Sequence, residues 1–260
     1  MKIIFIIAIC LLVVACIIVI LGALTHWTFN CNKKDNYSEQ KLRVGPDGHI
    51  HQEYNGLGQL YNTKPKNQNY SLHILLATIG RKKLFNMINS ILPQLHRHDY
   101  LTVVYDAKDI DNTLPQVEKL FKDTKATCTI YMEPKNLGFW GHGIRNKWAS
   151  KLTGDFILHA DDDNIYYPDI FNVIRKNCTN PETLYLFQIS HNGKIFVPNP
   201  KFPIKTNNID TACGVIPRVL NTKGLWKLEY GGDGKFYEQI IKLSPQTIFI
   251  QNKPIINQHL

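Results

Sequence analysis

Residues 156–166 read Phe156-Ile157-Leu158-His159-Ala160-Asp161-Asp162-Asp163-Asn164-Ile165-Tyr166. An apolar, strand-like run delivers three consecutive carboxylates to its end. Like charges this close repel one another, and taking them out of water is costly. A cation or a network of hydroxyls would offset that cost. Hard divalent ions such as Mg²⁺ and Mn²⁺ take oxygen ligands and often need only one or two carboxylates beside substrate phosphates. A strand ending in acids at a loop therefore reads as a metal–diphosphate site. A solvated acidic turn is the plainer alternative, and the triplet alone does not decide between them.

Upstream, the same design repeats. Residues 72–77 are a short apolar run that ends at Thr78-Ile79-Gly80-Arg81. A helix is predicted over 82–94, with Leu84, Met87, Ile88 and Ile91 at helical spacing. Residues 100–105 are a β-branched and aromatic strand ending at Asp106, followed by a helix around 115–123 and a third strand at 128–132. Strands alternating with helices predict an α/β domain with a mixed, mainly parallel sheet flanked by helices. In such sheets ligands bind at the carboxyl ends of strands, where Thr78–Arg81, Asp106 and Asp161–Asp163 would all fall. Between the third and fourth strands runs Asn136-Leu137-Gly138-Phe139-Trp140-Gly141-His142-Gly143-Ile144-Arg145-Asn146-Lys147. Its glycines allow close backbone approach, and Arg145 and Lys147 are candidates to reach a diphosphate. A glycine-rich chain reversal is the simpler reading.

Taken in order, Thr78-x-x-Arg81, Asp106, Asn136-x-Gly138, the Arg145-Asn146 helix, Gly154-Asp155-Phe156-Ile157 and the acidic triplet resemble GT-A-fold glycosyltransferases, above all the large inverting family 2. Locally, residues 160–166 are also similar to the metal site of the β-1,3-glucuronyltransferases. The resemblance covers roughly residues 71–260 and is most specific over 71–175. It implies a Rossmann-like nucleotide half in which Asp106 meets the nucleobase and Thr78 and Arg81 form the first nucleotide loop. Asn136, Gly138 and Arg145 belong to the same donor site. Asp161 and Asp162 would contact ribose or donor sugar, and Asp163 would hold the metal, Mn²⁺ before Mg²⁺. His259 matches a late histidine that touches metal or diphosphate in some members; a histidine on a frayed tail is the alternative.

In the acceptor half, residues 208–216 resemble the segment lining the donor and acceptor pocket. Asp233, within Gly231-Gly232-Asp233-Gly234, matches the position of the general base, although many members carry Glu-Asp there. An aspartate at a glycine turn or helix start is the local alternative, and Glu229 and Glu238 are the fallback bases. His142 and His159 read as loop or packing residues. Trp140, Trp148 and Trp226 read as packing or as a sugar platform.

The chain has 260 residues and six cysteines. Residues 3–24 are almost unbroken Ile, Leu, Val, Ala and Cys, long enough as a helix of roughly 33 Å to cross a bilayer core of about 30 Å. Their length favours an uncleaved signal-anchor over a signal peptide. Lysines flank both ends, so the orientation stays open between a type II protein with a lumenal, Golgi- or ER-like domain and a cytosolic one. The expected organisation is an anchor at 1–25, a polar stem at 26–69 and a catalytic domain at 70–260. Cys31, Cys128, Cys178 and Cys213 are scattered with no Cys-x-x-Cys pair, which argues against zinc. Glycosylation sequons begin at Asn36, Asn69 and Asn177.

The net charge is +9. The lysines are spread rather than clustered with aromatics, so nucleic acid is not the expected partner. The expected partners are a nucleotide-sugar donor, a glycan, lipid or protein acceptor, and the membrane through the N-terminal helix. The leading reading is a metal-dependent, inverting glycosyltransferase using a donor that is UDP-linked by preference. Its rivals are a nucleotidyltransferase on a related sheet, a sugar-binding protein without turnover, and a retaining transferase.

Overall fold

The computed structural model describes residues 42–44, 50–54, 70–106 and 110–258. The chain divides into residues 1–40 and 41–260, and the fold described is that of the second unit. The predicted span at 3–24 and His259 lie outside the described residues. Among those described, no helix is long and apolar enough to cross a membrane.

Strand β3 (Leu72–Thr78) is buried along its whole length. It pairs in parallel with β4 (Tyr100–Tyr105) on one side and β6 (Phe156–Asp161) on the other, and β4 pairs in parallel with β5 (Thr127–Met132). Near-continuous apolar runs suit strands covered on both faces. Successive side chains alternate: Leu72, Ile74 and Leu76 enter one apolar cluster, Leu75 and Ala77 the other. On the first face lie α1 (Leu84–Ile91), which buries Leu84, Met87, Ile88 and Ile91, and α2 (Ile110–Phe121), which buries Val117 and Phe121. On the second face lies α3 (His142–Trp148), which contributes Ile144 and Trp148. Helix α4 (Ile170–Asn177) returns to the first cluster with Phe171 and Ile174. Each such side chain contributes about 1.5–3 kcal/mol by burial.

Two expected boundaries shift. The helix predicted around 115–123 begins at Ile110 and carries Pro115 inside it. A proline marks the first helical position in sequence, where its missing N–H is harmless; here tertiary packing of the helix outweighs the one lost bond. The helix predicted over 82–94 ends at Ile91 and tightens into a 3-10 turn at Leu92–Gln94 containing Pro93.

The second half changes strand direction. Strands β8 (Thr183–Phe187) and β11 (Gly214–Pro217) are antiparallel neighbours, β11 is antiparallel to β6, and β12 (Gln246–Ile250) adds in parallel to β8. Two strands from the stretch expected as stem, β1 (Leu42–Val44) and β2 (Ile50–Tyr54), join the other edge, β2 antiparallel to β5. The nine-stranded order is β1-β2-β5-β4-β3-β6-β11-β8-β12. The sheet is therefore mixed, with the parallel run β5-β4-β3-β6 at its centre and one further parallel pair, β8-β12, at its edge. A second sheet holds β7 (Asn164–Tyr166), β9 (Ile189–His191), β10 (Lys194–Val197) and β13 (Ile256–Gln258) in the order β10-β9-β13-β7. Its β7 leaves the acidic triplet directly, and Gln258 pairs opposite Asn164, so the last strand runs beside the acidic turn. Helices α5 (Arg218–Lys223) and α6 (Gly232–Leu243) complete the unit.

Candidate active site

Thr78 closes β3, Asp106 follows β4 and Asp161 closes β6, so three parallel strands deliver polar side chains to one edge. A cavity of about 680 Å³ opens there. Its wall includes Thr78, Arg81, Asp106, Asn136, Gly138 and Asp161–Asp163 from the first half, with Asp210 and Asp233 from the second. The expected nucleotide residues other than Arg145 and the expected base thus share one cavity. Glu229 and Glu238, the fallback bases, are not in its lining.

Asp162 is the structural centre of the triplet, with 1% side-chain exposure. Its Oδ2 accepts from Thr78 Oγ1 at 2.5 Å and from the Ile79 amide at 3.4 Å, while Oδ1 accepts from Arg81 Nε at 2.7 Å and also from Nη2. The Gly80 amide donates to Thr78 Oγ1 at 2.8 Å, closing the loop on itself. Asp163 is 34% exposed and accepts from Arg81 Nη1 at 2.9 Å. Partial burial raises its pKa, Arg81 opposes that, and the charges of Asp161 and Asp162 raise it further. Asp106 receives the Leu137 and Gly138 amides at 2.5 and 2.8 Å, which ties the glycine-rich loop to the end of β4.

Arg145 and Lys147 do not stand where the sequence placed them. Arg145 is fully buried and absent from the cavity lining. It donates through Nη2 to Asp161 Oδ1 at 2.5 Å and through Nη1 to the Trp140 carbonyl at 2.7 Å, and it packs 5.1 Å over the Trp226 ring. It is a positioning residue behind the wall, because α3 turns that face of the helix onto the sheet. Lys147 donates to the buried Glu133 at 2.6 Å, a carboxylate that also accepts from Trp148 Nε1 at 2.7 Å.

The residues bounding the other half include His142, which sequence reasoning set aside, and Asp210, which it reached only as part of the 208–216 segment. His142 lines the cavity, and its Nδ1–H donates to the Lys227 carbonyl at 2.8 Å, which fixes the tautomer. Burial, then Arg145, lowers its pKa. Asp210 accepts from the Ala212 amide at 3.0 Å and from Gln258 Nε2 at 2.9 Å. Burial and the nearby Asp161 push its pKa up to about 7. Both follow from the fold bringing distant strands together; His142 had no local signal beyond its residue type, and Asp210 was singled out only as one of residues 208–216. Asp233 lies in the first turn of α6, and its Oδ1 accepts from the Gly234 amide at 2.7 Å.

Among the described residues no cluster of three His, Cys, Asp or Glu side chains forms a ready metal cage. The donor chemistry nevertheless fits a hard cation. Asp163 and Asp161 offer partly exposed carboxylate oxygens, and such ions commonly take remaining ligands from substrate phosphates. Cys128, Cys178 and Cys213 are free and buried.

The model of the family described as Glycosyl transferase family 2 matches residues 80–249. No curated protein matches the chain. Among solved structures, residues 1–349 of TarS from S. aureus superpose with a TM-score of 0.59 at 16% identity, over 72% of this chain and 60% of that one. The mannosyltransferase PcManGT from Pyrobaculum calidifontis, in complex with GDP-Man and Mn²⁺, gives 0.55 at 13% identity, over 75% and 60%. GalNAc-T7 with UDP, GalNAc and Mn²⁺ gives 0.53 at 12% identity, over 75% and 44%. The chain thus spans about 60% of the TarS and PcManGT chains. At these identities the likeness is one of fold, and it does not bear on the local similarity of residues 160–166 to the glucuronyltransferases.

Proposed function

Because the chain belongs to glycosyl transferase family 2 and is a GT-A-fold glycosyltransferase, we propose that it moves a sugar from a UDP-linked donor to a hydroxyl acceptor, with inversion and with a divalent metal. The observation that carries this reading is charge. Among the described residues, Asp106, Asp161, Asp162, Asp163, Asp210 and Asp233 line the cavity against one arginine, Arg81, and no lysine. Arg81 is already committed to Asp162 and Asp163. A nucleoside diphosphate would add negative charge to this wall, so its binding calls for a cation. Asp163, with Asp161 beside it, would hold Mn²⁺, or Mg²⁺ as second choice. Bound there, the ion supplies charge neutralisation to the departing diphosphate. The PcManGT and GalNAc-T7 structures both contain Mn²⁺, which supports the same choice.

The protein's own groups do the rest. Asp106 and the Thr78–Arg81 loop bound the donor end. Asp233 has Oδ1 engaged by the Gly234 amide, and its Oδ2 is the atom assigned to take the acceptor proton. The acceptor oxygen then attacks the anomeric carbon from the face opposite the diphosphate. Residues 3–24 would anchor this domain to a membrane as a single-pass signal-anchor.

Removing the base tests the assignment. Asp233→Asn should lower transfer by about 10²–10⁴-fold, while nucleotide binding measured by calorimetry is retained. Proton NMR of the product's anomeric signal should show inversion. Retained transfer in Asp233→Asn, or a retained anomeric configuration, would refute the mechanism.

A further inference from the structure

The segment Gly138-Phe139-Trp140-Gly141 holds four consecutive positive φ values: 65° at Gly138, 54° at Phe139, 52° at Trp140 and 81° at Gly141. Glycine adopts this region freely, but two adjacent aromatic residues do so at a cost, and such strain concentrates where a site needs a side chain aimed. The outcome of the strain is exposure. Trp140 is 68% exposed and lines the cavity. Across from it Tyr230, 77% exposed, meets the Trp140 ring edge-to-face with centroids 6.3 Å apart. Phe196, 59% exposed, also lines the cavity. The buried Arg145 grips the Trp140 carbonyl and Asp161 together, so the aromatic pair is fixed in relation to the acidic triplet.

We propose that Trp140 and Tyr230 form a stacking platform for a pyranose ring, and that the acceptor is an uncharged saccharide. The inference rests on the transferase reading and specifies its acceptor. A pyranose presents C–H groups on its faces and hydroxyls around its edge. An aromatic face takes the former, and the adjoining carboxylates of Asp210 and Asp233, with Thr206 and Asn207, take the latter. A lipid chain laid along the same path would take those carboxylates out of water and leave their remaining acceptor positions, Asp233 Oδ2 above all, without partners. A phosphorylated or carboxylated acceptor would meet two further acids, with no free cation in the lining among the described residues. An uncharged, hydroxyl-rich ring satisfies both conditions.

The test uses the full chain in detergent with Mn²⁺ and the donor it turns over. Nucleotide release is measured against water alone, methyl pyranosides and neutral oligosaccharides, serine/threonine peptides, and a polyprenol-linked alcohol. A saccharide should stimulate release at least tenfold. Trp140→Ala and Tyr230→Ala should each raise the saccharide KM about tenfold or more, with a far smaller change in donor KM, and Tyr230→Phe should restore most of the loss. Stimulation confined to the peptides or the polyprenol, no stimulation by any saccharide, or an unchanged saccharide KM in both alanine variants would overturn the proposal. Saturation-transfer NMR with methyl pyranosides keeps the platform testable if no donor turns over, an outcome that counts against the transferase reading instead. Ring-proton signals lost in Trp140→Ala support the platform, and no saturation transfer with the wild-type chain refutes it.

Discussion

Arg145 donates to Asp161 at 2.5 Å from a side chain with 0% exposure to one with 27%. The same guanidinium holds the Trp140 carbonyl and lies over Trp226. One buried cation therefore fixes a carboxylate of the proposed donor site and the backbone of the proposed acceptor platform. Arg145→Met removes the charge while keeping much of the volume. The charge left behind, Asp161, is 27% exposed, so the cost is that of the hydrogen bonds lost and the Trp140 carbonyl left unpaired, about 1–3 kcal/mol, and urea denaturation should show a loss of that size. Arg145→Lys should recover little of it, because an ammonium lacks the planar fork that reaches two oxygens at once. A loss below about 1 kcal/mol for Arg145→Met, the range of an exposed pair, would contradict this role.

The three aspartates should separate by function. Asp162 is buried and joins Thr78, Ile79 and Arg81, whereas Asp163 is one-third exposed and meets Arg81. Asp162→Ala should destabilise the fold by about 1–3 kcal/mol through unsatisfied buried donors. Asp163→Ala should change stability little and abolish metal-dependent turnover. Paired thermal melts and activity assays check the split; equal stability losses would contradict it.

Acid should destabilise the fold through two histidines. Burial lowers His73 and His159 from 6.5 to about 3. His73 Nε2 donates to Thr102 and its Nδ1 accepts from the Thr153 amide, so the neutral ring is the bonded one. His159 Nε2 donates to Asn221. Between pH 6.5 and about 3 the unfolded chain binds these protons and the folded chain does not. Their contribution is thus fully present above 6.5 and is lost as pH falls, by about 1.4 kcal/mol per pH unit for each. Asp210 acts the other way. Raised from 3.8 to about 7, it is protonated in the folded state between those values and costs stability as pH rises through them. Together these groups predict a net fall of about 1.4 kcal/mol per unit on acidification from 6.5 to 4, and Asp210→Asn should make it steeper. Denaturation curves across that range provide the check.

Gly232 is fixed by close approach. A Cβ there would stand 2.1 Å from the Lys227 carbonyl oxygen and 2.6 Å from His142 Nδ1. A backbone carbonyl cannot swing aside as a side chain can, so Gly232→Ala must shift the start of α6, and with it Asp233. We expect a loss of about 1–3 kcal/mol, as for other overpacking changes, with a fall in kcat. Wild-type melting and kcat in Gly232→Ala would contradict the packing.

The first half of the fold was legible in the sequence because its strands are continuous apolar runs that stop at polar residues. Ile74, Leu101 and Leu158 mark strands whose ends are Thr78, Asp106 and Asp161, and the fold gathers those ends at one edge. The antiparallel half was not legible to the same degree, since β11 has four residues and β13 three, too few for a periodic signal. Arg145 misled because a basic residue after a glycine-rich loop looks like a phosphate ligand until the helix face it occupies is known. The left-handed run at 138–141 was hidden for a related reason: glycines announce such a turn, but Phe139 and Trp140 do not.

The most direct measurement is nucleotide release by the full chain from UDP-, GDP- and CMP-linked sugars, with Mn²⁺ and with EDTA. The account predicts turnover of one UDP-sugar that requires Mn²⁺ and returns when the metal is restored after chelation. Turnover unaffected by EDTA, or neither turnover nor metal-dependent nucleotide binding with any donor, would contradict it.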